Sequence, residues 1–396
     1  MDEEVDVLVI GAGPAGSEAA RSAAEGGAST LLIEKRAEIG TPVRCGEGVG
    51  KRWLVETGIP ASRDFIAHEI RASRIVSPDG SSFVVEDHGG GKGGFILERD
   101  RFDRFLAKRA ASAGARIRVR TSAIGLLREG GRVTGARCEH MGETFDVRAR
   151  VVIGADGFES QVGRWGGLTT HLRARDVASC LQYTLVGIEG EPEYAEFHLG
   201  SMAPGGYLWV FWKGEDTANV GLGVPVSKLR DRADTKRYLD AFIARSPGLA
   251  RGEIVEEVAG GVSMSLPVER SVGDGLLLSG DAARLIDPLT GAGIFNALLS
   301  GSYAGEVAAA AVREGNPSSG FLNRYDRMWR GRIEEELARH YLIKEGLQRT
   351  DDESLNRIIR AVADAKPAQV TAKVILGIVK ERCPEALRPF ARLLES

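Results

Sequence analysis

A glycine-rich turn close to the N-terminus constrains the fold of this chain more than any other feature. The stretch VDVLVIGAGPAGSEAARSAAEGGASTLLIEKR runs from an apolar strand through the turn GAGPAG into an alanine-rich helix, and then into a second apolar strand that ends at Glu34. Backbone N–H groups and the positive dipole end at the start of such a helix attract phosphate. With strand, turn, helix, strand and terminal acid in this order, the stretch predicts a Rossmann-like unit that binds a dinucleotide.

Each glycine of this turn has a predicted role. Gly11 allows the tight turn, Gly13 lets the backbone approach a pyrophosphate, and Gly16 lets helix and strand pack closely. Glu34 is expected to accept hydrogen bonds from the ribose hydroxyls. The motif alone does not distinguish FAD from NAD. The cofactor-binding residues predicted in this region are Gly11, Gly13, Ala15, Gly16, Glu34 and Lys35.

Length, charge and cysteine content exclude several classes of protein. The 396 residues, 43% of them hydrophobic, indicate two or three structural units, and a net charge of −3 gives no basic surface for nucleic acid. The four cysteines are too widely spaced for a zinc or iron–sulfur pattern, so no metal site is predicted. No signal-peptide pattern precedes the first strand, and no apolar run reaches the roughly 20 residues that span a bilayer. We therefore expect a cytoplasmic protein whose membrane contact, if it has one, is peripheral on the inner face of the cell membrane.

Two further turns join glycine to aspartate at the end of an apolar strand. The first is GADG, residues 154–157, which contains Asp156, and the second is GDAA, which contains Asp281 and precedes a long helix of small residues. Asp281 is expected to hydrogen-bond ribitol hydroxyls, and the N–H groups of Gly293 and Ile294, just after Gly291, are expected to face an electron-rich ring edge. Each pair alone is most often an ordinary turn, but the three turns in this order are far more specific.

The three turns resemble those of the FAD-dependent superfamily that includes para-hydroxybenzoate hydroxylase. The resemblance implies that the cofactor is FAD. It also implies that Arg99, in FILERDRFDRFLAKRAASAGARI, points toward the flavin, and that the backbone around Ala123, in VRTSAIGLL, lies against the adenine. Asp156 belongs to the same implied cofactor site.

Segments of alternating apolar and polar residues lie between these FAD-binding pieces. Period-two patterns with glycine-rich connections such as DHGGGKGG predict an antiparallel sheet, inserted into the nucleotide-binding domain. In APGGYLWVFWKGEDTANVGLG, the alternation places Tyr207, Trp209 and Phe211 on one face of a strand and Trp212 on the other. Core packing is the alternative explanation for these aromatic residues. The predicted strands cover residues 70–76, 82–85, 94–97, 178–186, 196–200, 207–211 and 218–222.

Six stretches together resemble the geranylgeranyl reductase family, above all its archaeal digeranylgeranylglycerophospholipid reductases. They are PVRCGEG, FILERD, GADGFES, LQY, HLGSMAPGGYLWVF and GDAARLIDPLTGAGI. One departure stands out, because the family usually has proline where this chain has Trp212, which puts the shape of the local pocket in doubt. The resemblance implies that the loop RCGEG passes close to the flavin ring, which adds Arg44, Cys45, Gly46 and Gly48 to the predicted cofactor-binding residues.

The implied reaction is reduction of isolated carbon–carbon double bonds in the geranylgeranyl chains of an ether-linked glycerophospholipid, giving saturated membrane lipids. Cys45, Tyr207 and Trp209 are the predicted catalytic residues: Cys45 on the proton side, and the two aromatic residues in the wall of an apolar channel. A structural, buried cysteine is the alternative for Cys45. Reduced ferredoxin or NAD(P)H is the expected electron donor.

Other functions on the same fold stay open at the level of sequence. One is a reductase of geranylgeranyl diphosphate or of a prenylated pigment, and another is an FAD-dependent aromatic monooxygenase. An electron-transfer flavoprotein is disfavoured by the absence of an iron–sulfur cysteine cluster. A lipid carrier without enzymatic activity would bind no flavin.

The predicted fold class is α/β (α+β), with a Rossmann-like FAD-binding domain, an inserted antiparallel-sheet substrate domain and a helical C-terminal region. The predicted bounds are 1–65, 99–170 and 271–315 for the FAD-binding domain, 66–98 and 171–270 for the substrate domain, and 316–396 for the helical domain. The basic residues beside apolar stripes in this last region fit an amphipathic cap better than a bilayer contact.

Overall fold

The chain folds into two compact units, each assembled from three separate segments. The computed structural model describes residues 2–86, 93–367 and 370–395. The first unit comprises Met1–Val43, Arg99–Leu172 and Ser265–Ala338, and the second comprises Arg44–Glu98, Arg173–Met264 and Arg339–Ser396.

Both units combine β-strands with α-helices. The strands are β1 (Glu3–Ile10), β2 (Thr30–Ile33), β3 (Gly48–Gly50), β4 (Ile66–Ile70), β5 (Ala72–Val76), β6 (Ser82–Val85), β7 (Gly94–Leu97), β8 (Arg116–Arg118), β9 (Thr121–Glu129), β10 (Arg132–His140), β11 (Glu143–Gly154), β12 (Val177–Val186), β13 (Tyr194–His198), β14 (Tyr207–Trp212), β15 (Thr217–Pro225), β16 (Glu253–Ser263), β17 (Val272–Gly273) and β18 (Leu276–Leu278). The α-helices are α1 (Pro14–Glu25), α2 (Lys51–Glu56), α3 (Arg99–Ser112), α4 (Gln161–Trp165), α5 (Asp234–Arg245), α6 (Ile294–Arg313), α7 (Ser319–Trp329), α8 (Glu335–Leu347), α9 (Asp352–Ala365), α10 (Ala372–Arg382) and α11 (Ala391–Glu395).

The first unit is built on an eight-stranded sheet with a parallel centre. Its main path runs β17-β18-β11-β1-β2-β8, and β10 pairs with both β11 and β9. The pairs of β1 with β11 and β2, of β11 with β18, and of β2 with β8 are parallel. Val7, Leu8 and Val9 of β1 are completely buried, which explains the continuous apolar run at this point in the sequence. The Rossmann-like part of the predicted fold is confirmed.

Helices α1 and α6 of this unit cross at backbone distance. A Cβ atom on Gly301 would lie 2.3 Å from the carbonyl oxygen of Ala15, and one on Gly305 would lie 2.3 Å from that of Ala19. Only residues without a side chain fit at these two positions, because a methyl group would overlap the other helix. The small residues of both helices therefore serve the crossing that holds α1 in place.

The second unit contains a seven-stranded sheet and a small three-stranded one. The large sheet has the order β16-β12-β15-β14-β13-β5-β6, and the small one has the order β3-β7-β4. Every pair in both sheets is antiparallel except β13 with β5. The predicted antiparallel sheet is confirmed, although β16 was not predicted. Residues 87–92 of the stretch DHGGGKGG lie outside the described residues.

The central strand β14 of this sheet divides its side chains between two apolar clusters. Leu208, Val210 and Trp212 pack in the core that includes Leu239 of α5. Trp209, Phe211, Tyr207 and Phe197 form part of a second cluster, which we call the aromatic face, together with Ile70, Ile96, Cys180 and Ala195. The predicted division of the aromatic residues between the two faces is confirmed.

The compact units differ from the predicted domain bounds in several places, of which three concern whole segments. Residues 44–65 belong to the second unit, because β3 pairs with β7 there. Helix α7 belongs to the first unit, where the hydroxyl of Tyr325 donates to the carbonyl of Leu278 at 2.8 Å. The helices after residue 338 belong to the second unit rather than to a separate helical domain, and Asp352 accepts hydrogen bonds from the backbone and side chain of Ser201.

Candidate active site

The three glycine turns of the first unit meet at one end of its parallel strands. Gly11 has a φ of +102°, and a Cβ atom there would lie 2.4 Å from the carbonyl oxygen of Ala155. A Cβ atom on Gly280 would lie 2.7 Å from the Cβ atom of Ala15. The structure therefore brings the turns at 11–16, 154–157 and 280–283 close together.

The start of α1 has the open space that a dinucleotide requires. A Cβ atom on Gly13 would meet no protein atom within 4 Å, whereas one on Gly16 would lie 1.7 Å from the carbonyl oxygen of Gly11. Gly13 is the N-cap of α1, no side chain caps it, and proline follows at the first helical position. The uncapped start of α1 therefore has open space beside Gly13 that a pyrophosphate can occupy, and the turn fits the predicted cofactor.

Glu34 and Ala123 lie close to this turn. The carboxylate of Glu34 accepts hydrogen bonds from the backbone N–H of Ala12 at 3.0 Å and of Arg36 at 2.9 Å. Its backbone carbonyl accepts from Thr121 at 2.8 Å, two residues before Ala123 on β9. The structure thus brings the predicted ribose and adenine residues together, and it places Lys35 on the surface.

Asp281, Arg99 and the start of α6 form a second group in the same unit. Burial raises the pKa of Asp281 to about 6, and the nearby Arg99 guanidinium opposes this rise. A Cβ atom on Gly293 would lie 3.5 Å from Oδ1 of Asp281, so this carboxyl stands beside the uncapped start of α6, whose first residue is Ile294. Arg99 also donates to Asp103 at 2.9 and 3.0 Å. Gly291 has a φ of +69° in the loop just before α6.

Asp156 has a structural function that the sequence did not suggest. Its carboxylate accepts hydrogen bonds from the hydroxyl of Ser160 at 2.7 Å and from the backbone N–H of Gln161 at 2.7 Å and of Val162 at 3.0 Å. These contacts stabilise the start of α4. Its cofactor contact stays a prediction.

The loop that carries Cys45 lies on the aromatic face of the second unit. A Cβ atom on Gly46 would lie 3.0 Å from Cε2 of Phe211 and 3.6 Å from Nε1 of Trp209, and one on Gly48 would lie 3.6 Å from Phe211. The Cys45 sulfur accepts a hydrogen bond from the N–H of Glu47 at 3.2 Å. The glycines thus let the main chain approach the aromatic rings, and their predicted contact with the flavin stays a prediction.

Arg44, at the start of this loop, is exposed. The aliphatic part of its side chain lies 3.8 Å from the position of a Cβ atom on Gly260 of β16. The arginine stem therefore lies over Gly260 and covers this part of the sheet. A contact of Arg44 with the cofactor stays a prediction.

Trp209 is held in a fixed orientation on the aromatic face. Its indole N–H donates to Oε1 of Gln182 at 3.0 Å, in a buried hydrogen bond. The ring of Tyr207 lies 5.9 Å away and that of Phe211 6.3 Å away, centre to centre. A Cβ atom on Gly221 would lie 2.5 Å from the indole, so this glycine makes room for the ring. Tyr207, Trp209 and the Cys45 loop are thus brought together.

Trp212 points away from this group. Its side chain is 2% exposed and packs in the core with Leu239 and Phe242. Among the described residues, its indole N–H has no hydrogen-bond partner. The departure from proline at this position therefore adds a side chain to the opposite side of the sheet from Trp209.

Sequence reasoning missed a buried charged cluster next to Cys45. The carboxylate of Glu47 accepts hydrogen bonds from Nζ of Lys213 at 2.6 Å and from Nδ2 of Asn219 at 2.7 Å, and Lys213 also donates to Glu98 at 2.8 Å. An acidic residue inside the glycine-rich RCGEG and a lysine directly after YLWVFW were the only signals. Gln182, the partner of Trp209, was missed as well.

In the part of the chain that the structure describes, no group of three or more His, Cys, Asp or Glu side chains could hold a metal ion. Within these described residues, none of the four cysteines forms a disulfide. Within the same residues, every helix is too short or too polar to cross a bilayer.

Two models of protein families match parts of this chain. A model of the FAD binding domain matches residues 4–181, and a model of the geranylgeranyl reductase catalytic domain matches residues 176–262. The cofactor is therefore FAD, for which the open, uncapped turn at Gly13 has the required space.

Full-length relatives extend the similarity to the whole chain. A digeranylgeranylglycerophospholipid reductase of Picrophilus torridus is 44% identical over 397 residues, with 100% of both chains covered. One of Methanothrix thermoacetophila is 46% identical, with 98% of this chain and 99% of the relative covered. A crystal structure described as a geranylgeranyl bacteriochlorophyll reductase-like protein from Thermoplasma acidophilum has a TM-score of 0.94 at 43% identity, covering 99% of this chain and 100% of that one.

Proposed function

Because the chain belongs to the geranylgeranyl reductase family, within its digeranylgeranylglycerophospholipid reductases, we propose that it uses FAD to reduce the double bonds of geranylgeranyl chains in archaeal-type ether glycerophospholipids. It is an FAD-dependent oxidoreductase that acts on CH–CH groups of a lipid substrate. Among the functions that the sequence left open, this family membership favours the phospholipid reductase over a monooxygenase or a lipid carrier.

One observation carries the proposal. The residues matched by the geranylgeranyl reductase catalytic domain, 176–262, are those that form β12 to β16, and their aromatic face carries Trp209 and the loop with Cys45. Aromatic and glycine residues without charge suit a polyprenyl chain, whose recognition depends on burial of apolar surface.

The first unit supplies the cofactor residues. The open start of α1 would receive the pyrophosphate, Glu34 the ribose, and Asp281 with Arg99 the ribitol and ring end. When bound and reduced, FAD supplies a hydride to one carbon of the alkene. The backbone N–H groups at Gly293 and Ile294 would stabilise negative charge near the ring, since no side chain caps this helix start.

The aromatic face supplies the residues for the lipid chain. Trp209, fixed by Gln182, and Tyr207 would hold the alkene in one orientation, which matters because an isolated alkene is a poor hydride acceptor. The Cys45 thiol would donate a proton to the second carbon and exclude water from it. Since a C20 chain contains several similar alkenes, the chain would slide to present each one.

The electron donor in this proposal is reduced ferredoxin or NAD(P)H, and the enzyme works in the cytoplasm with peripheral contact to the inner face of the membrane. Rapid mixing under nitrogen separates the two donors. Fast bleaching of the bound FAD by NADPH alone would exclude an obligatory ferredoxin.

The reaction is tested by incubating the holoenzyme with digeranylgeranylglyceryl phosphate and dithionite under nitrogen and measuring the mass of the lipid. We expect two hydrogens to be added for each saturated bond. Cys45→Ala should keep its FAD and lose roughly a hundredfold in kcat, the usual effect of removing a general acid. Cys138→Ala, which removes a thiol from β10, is the control and should keep wild-type turnover. A lipid that gains oxygen, or gains no mass at all, would refute the proposal.

A further inference from the structure

The charged cluster beside Cys45 fixes the side chain of Glu47. We call the contacts of its carboxylate with Lys213 and Asn219 the tether. The Glu47 side chain is 3% exposed, and its two partners come from the sheet: Lys213 directly after β14 and Asn219 on β15. Burial alone would lower the pKa of Lys213, but Glu47 and Glu98 outweigh this effect and raise it. Lys213 is therefore an ammonium ion at neutral pH, and removal of Lys213 alone would leave the buried carboxylate of Glu47 without its cation.

The backbone of Glu47 has a conformation that a residue with a side chain rarely adopts. Its φ is +71°, in the left-handed region that favours glycine. Such a conformation persists only where surrounding contacts enforce it. Here the carboxylate is held by Lys213 and Asn219, and the carbonyl accepts a hydrogen bond from the N–H of Leu97 at 2.9 Å.

This conformation determines where the N–H of residue 47 points. It donates to the Cys45 sulfur at 3.2 Å. Between these two residues, Gly46 packs against the Phe211 ring, so the loop is fixed on the aromatic side as well. An N–H aimed at sulfur binds a thiolate more strongly than a thiol, because a hydrogen bond to an ionised acceptor is the stronger one.

We propose that Glu47 is a positioning residue for Cys45. Lys213 and Asn219 hold the Glu47 carboxylate, and this fixes the backbone N–H of Glu47 so that it points at the Cys45 sulfur. The N–H stabilises the thiolate that remains after Cys45 has donated its proton. The inference rests on the proposed function for the role of Cys45. In that step the S–H bond breaks, a C–H bond forms on the alkene carbon that does not receive the hydride, and the sulfur keeps the electron pair. Water then restores the thiol proton.

Other charged and titratable groups also surround this loop. The described residues bring to it Arg44 and Glu47 on the loop itself, Glu98 after β7, Lys213 after β14 and the Cys180 thiol of β12, which packs on the same aromatic face. The test must therefore separate the tether from a general change of charge.

The double variant Glu47→Gln/Lys213→Met makes that separation. It removes the charges of both Glu47 and Lys213, so neither residue is left as a buried charge without the other. It also weakens the tether. The readout is the rate at which iodoacetamide alkylates Cys45 in the holoenzyme between pH 6 and 10, followed by peptide mass. We expect the rate at pH 7 to fall about tenfold and the apparent thiol pKa to rise by about one unit, since alkylation follows the thiolate fraction. With the lipid, kcat should fall several-fold while KM changes by less than about twofold.

Glu189→Gln is the matched control, because its carboxylate is 80% exposed and pairs with Arg251 rather than with a residue of this tether. It should alkylate and turn over like the wild type. An unchanged alkylation profile in a folded, FAD-loaded double variant would overturn the proposal, and so would an unchanged kcat despite a changed profile. If the wild type reduces no lipid while the variant still alkylates slowly, the proposed function fails and the placement of the N–H stands.

Discussion

At the scale of single residues, the glycines of the first turn have different functions although they belong to one motif. Gly11 and Gly16 make room for other protein backbone, since a Cβ atom on either would lie within 2.4 Å of a carbonyl oxygen. Gly13 faces open space instead. The first two therefore preserve the fold, and the third preserves the space for the cofactor.

This difference predicts opposite results for two matched substitutions. Gly13→Ala should leave the thermal unfolding of the FAD-free protein unchanged and weaken FAD binding by about tenfold or more, because the new methyl group enters the space of the pyrophosphate. Gly16→Ala should destabilise the FAD-free protein by at least about 2 kcal/mol, because its Cβ would overlap Gly11. Thermal unfolding without FAD and fluorescence titration with FAD measure the two effects. A Gly13→Ala protein with wild-type FAD affinity would contradict the assigned position of the pyrophosphate.

The motif residues were predictable from the sequence, but the tether at Glu47 was not. A strand, a turn and a helix in succession define the cofactor turn within about 30 residues of chain, so local pattern is sufficient. The hydrogen bond between Glu47 and Lys213 joins residues 166 positions apart. Nothing local marks such a pair, because which charged residues meet in a buried position depends on how the strands are ordered.

At the scale of secondary structure, the crossing of α1 and α6 fixes the position of the start of α1, where the pyrophosphate of the cofactor is proposed to bind. The contact depends on glycine in α6, since a Cβ atom on Gly301 would lie 2.3 Å from the carbonyl oxygen of Ala15. A side chain there would have to push α1, and with it the first turn, away from its position.

Gly301→Ala is therefore expected to destabilise the protein by about 1–3 kcal/mol and to lower its FAD content, because overpacking displaces backbone. Gly377→Ala in α10 is the control: a Cβ atom there meets no atom within 4 Å, and alanine in an open helix position should stabilise by about 0.5–1 kcal/mol. Urea unfolding and the ratio of flavin to protein absorbance report both quantities. If Gly301→Ala and Gly377→Ala were equally stable, α1 and α6 could move apart at no cost in free energy, and the prediction would be wrong.

The pattern of the strands predicted the sheet of the second unit only in part. Strand β14 consists of apolar residues only, because both of its faces pack in apolar clusters, and its aromatic residues Tyr207, Trp209 and Phe211 share one face. Strand β16 was missed because EIVEEVAGGVS is exposed along most of its length, at an edge of the sheet, and therefore carries no period-two signal. Its place in the sheet follows from its pairing with β12, which is a long-range contact.

At the scale of the whole molecule, the sequence predicted only in part which segments of the chain belong to each of the two units. The sequence predicted an inserted sheet, because the period of the apolar pattern changes where the insertion begins. It did not predict that residues 44–65 and the helices after residue 338 belong with that sheet. These assignments depend on contacts such as that between Asp352 and Ser201, which join residues 151 positions apart.

The separation into units also predicts where FAD slows hydrogen exchange. A ligand that binds only the folded state slows exchange wherever opening would release it, by up to about a hundredfold at a hundredfold excess over Kd. When FAD is added to the FAD-free protein, we expect slower exchange in peptides from residues 11–17, 30–36 and 280–296 of the first unit, measured by mass spectrometry. Peptides from β16 should exchange as before. The Gly13→Ala protein at the same FAD concentration is the control, and the slowing should shrink there in proportion to its weaker FAD binding. Slowing confined to the second unit would refute the assignment of the cofactor to the first, because the uncapped starts of α1 and α6, which are proposed to face the cofactor, both lie in the first unit.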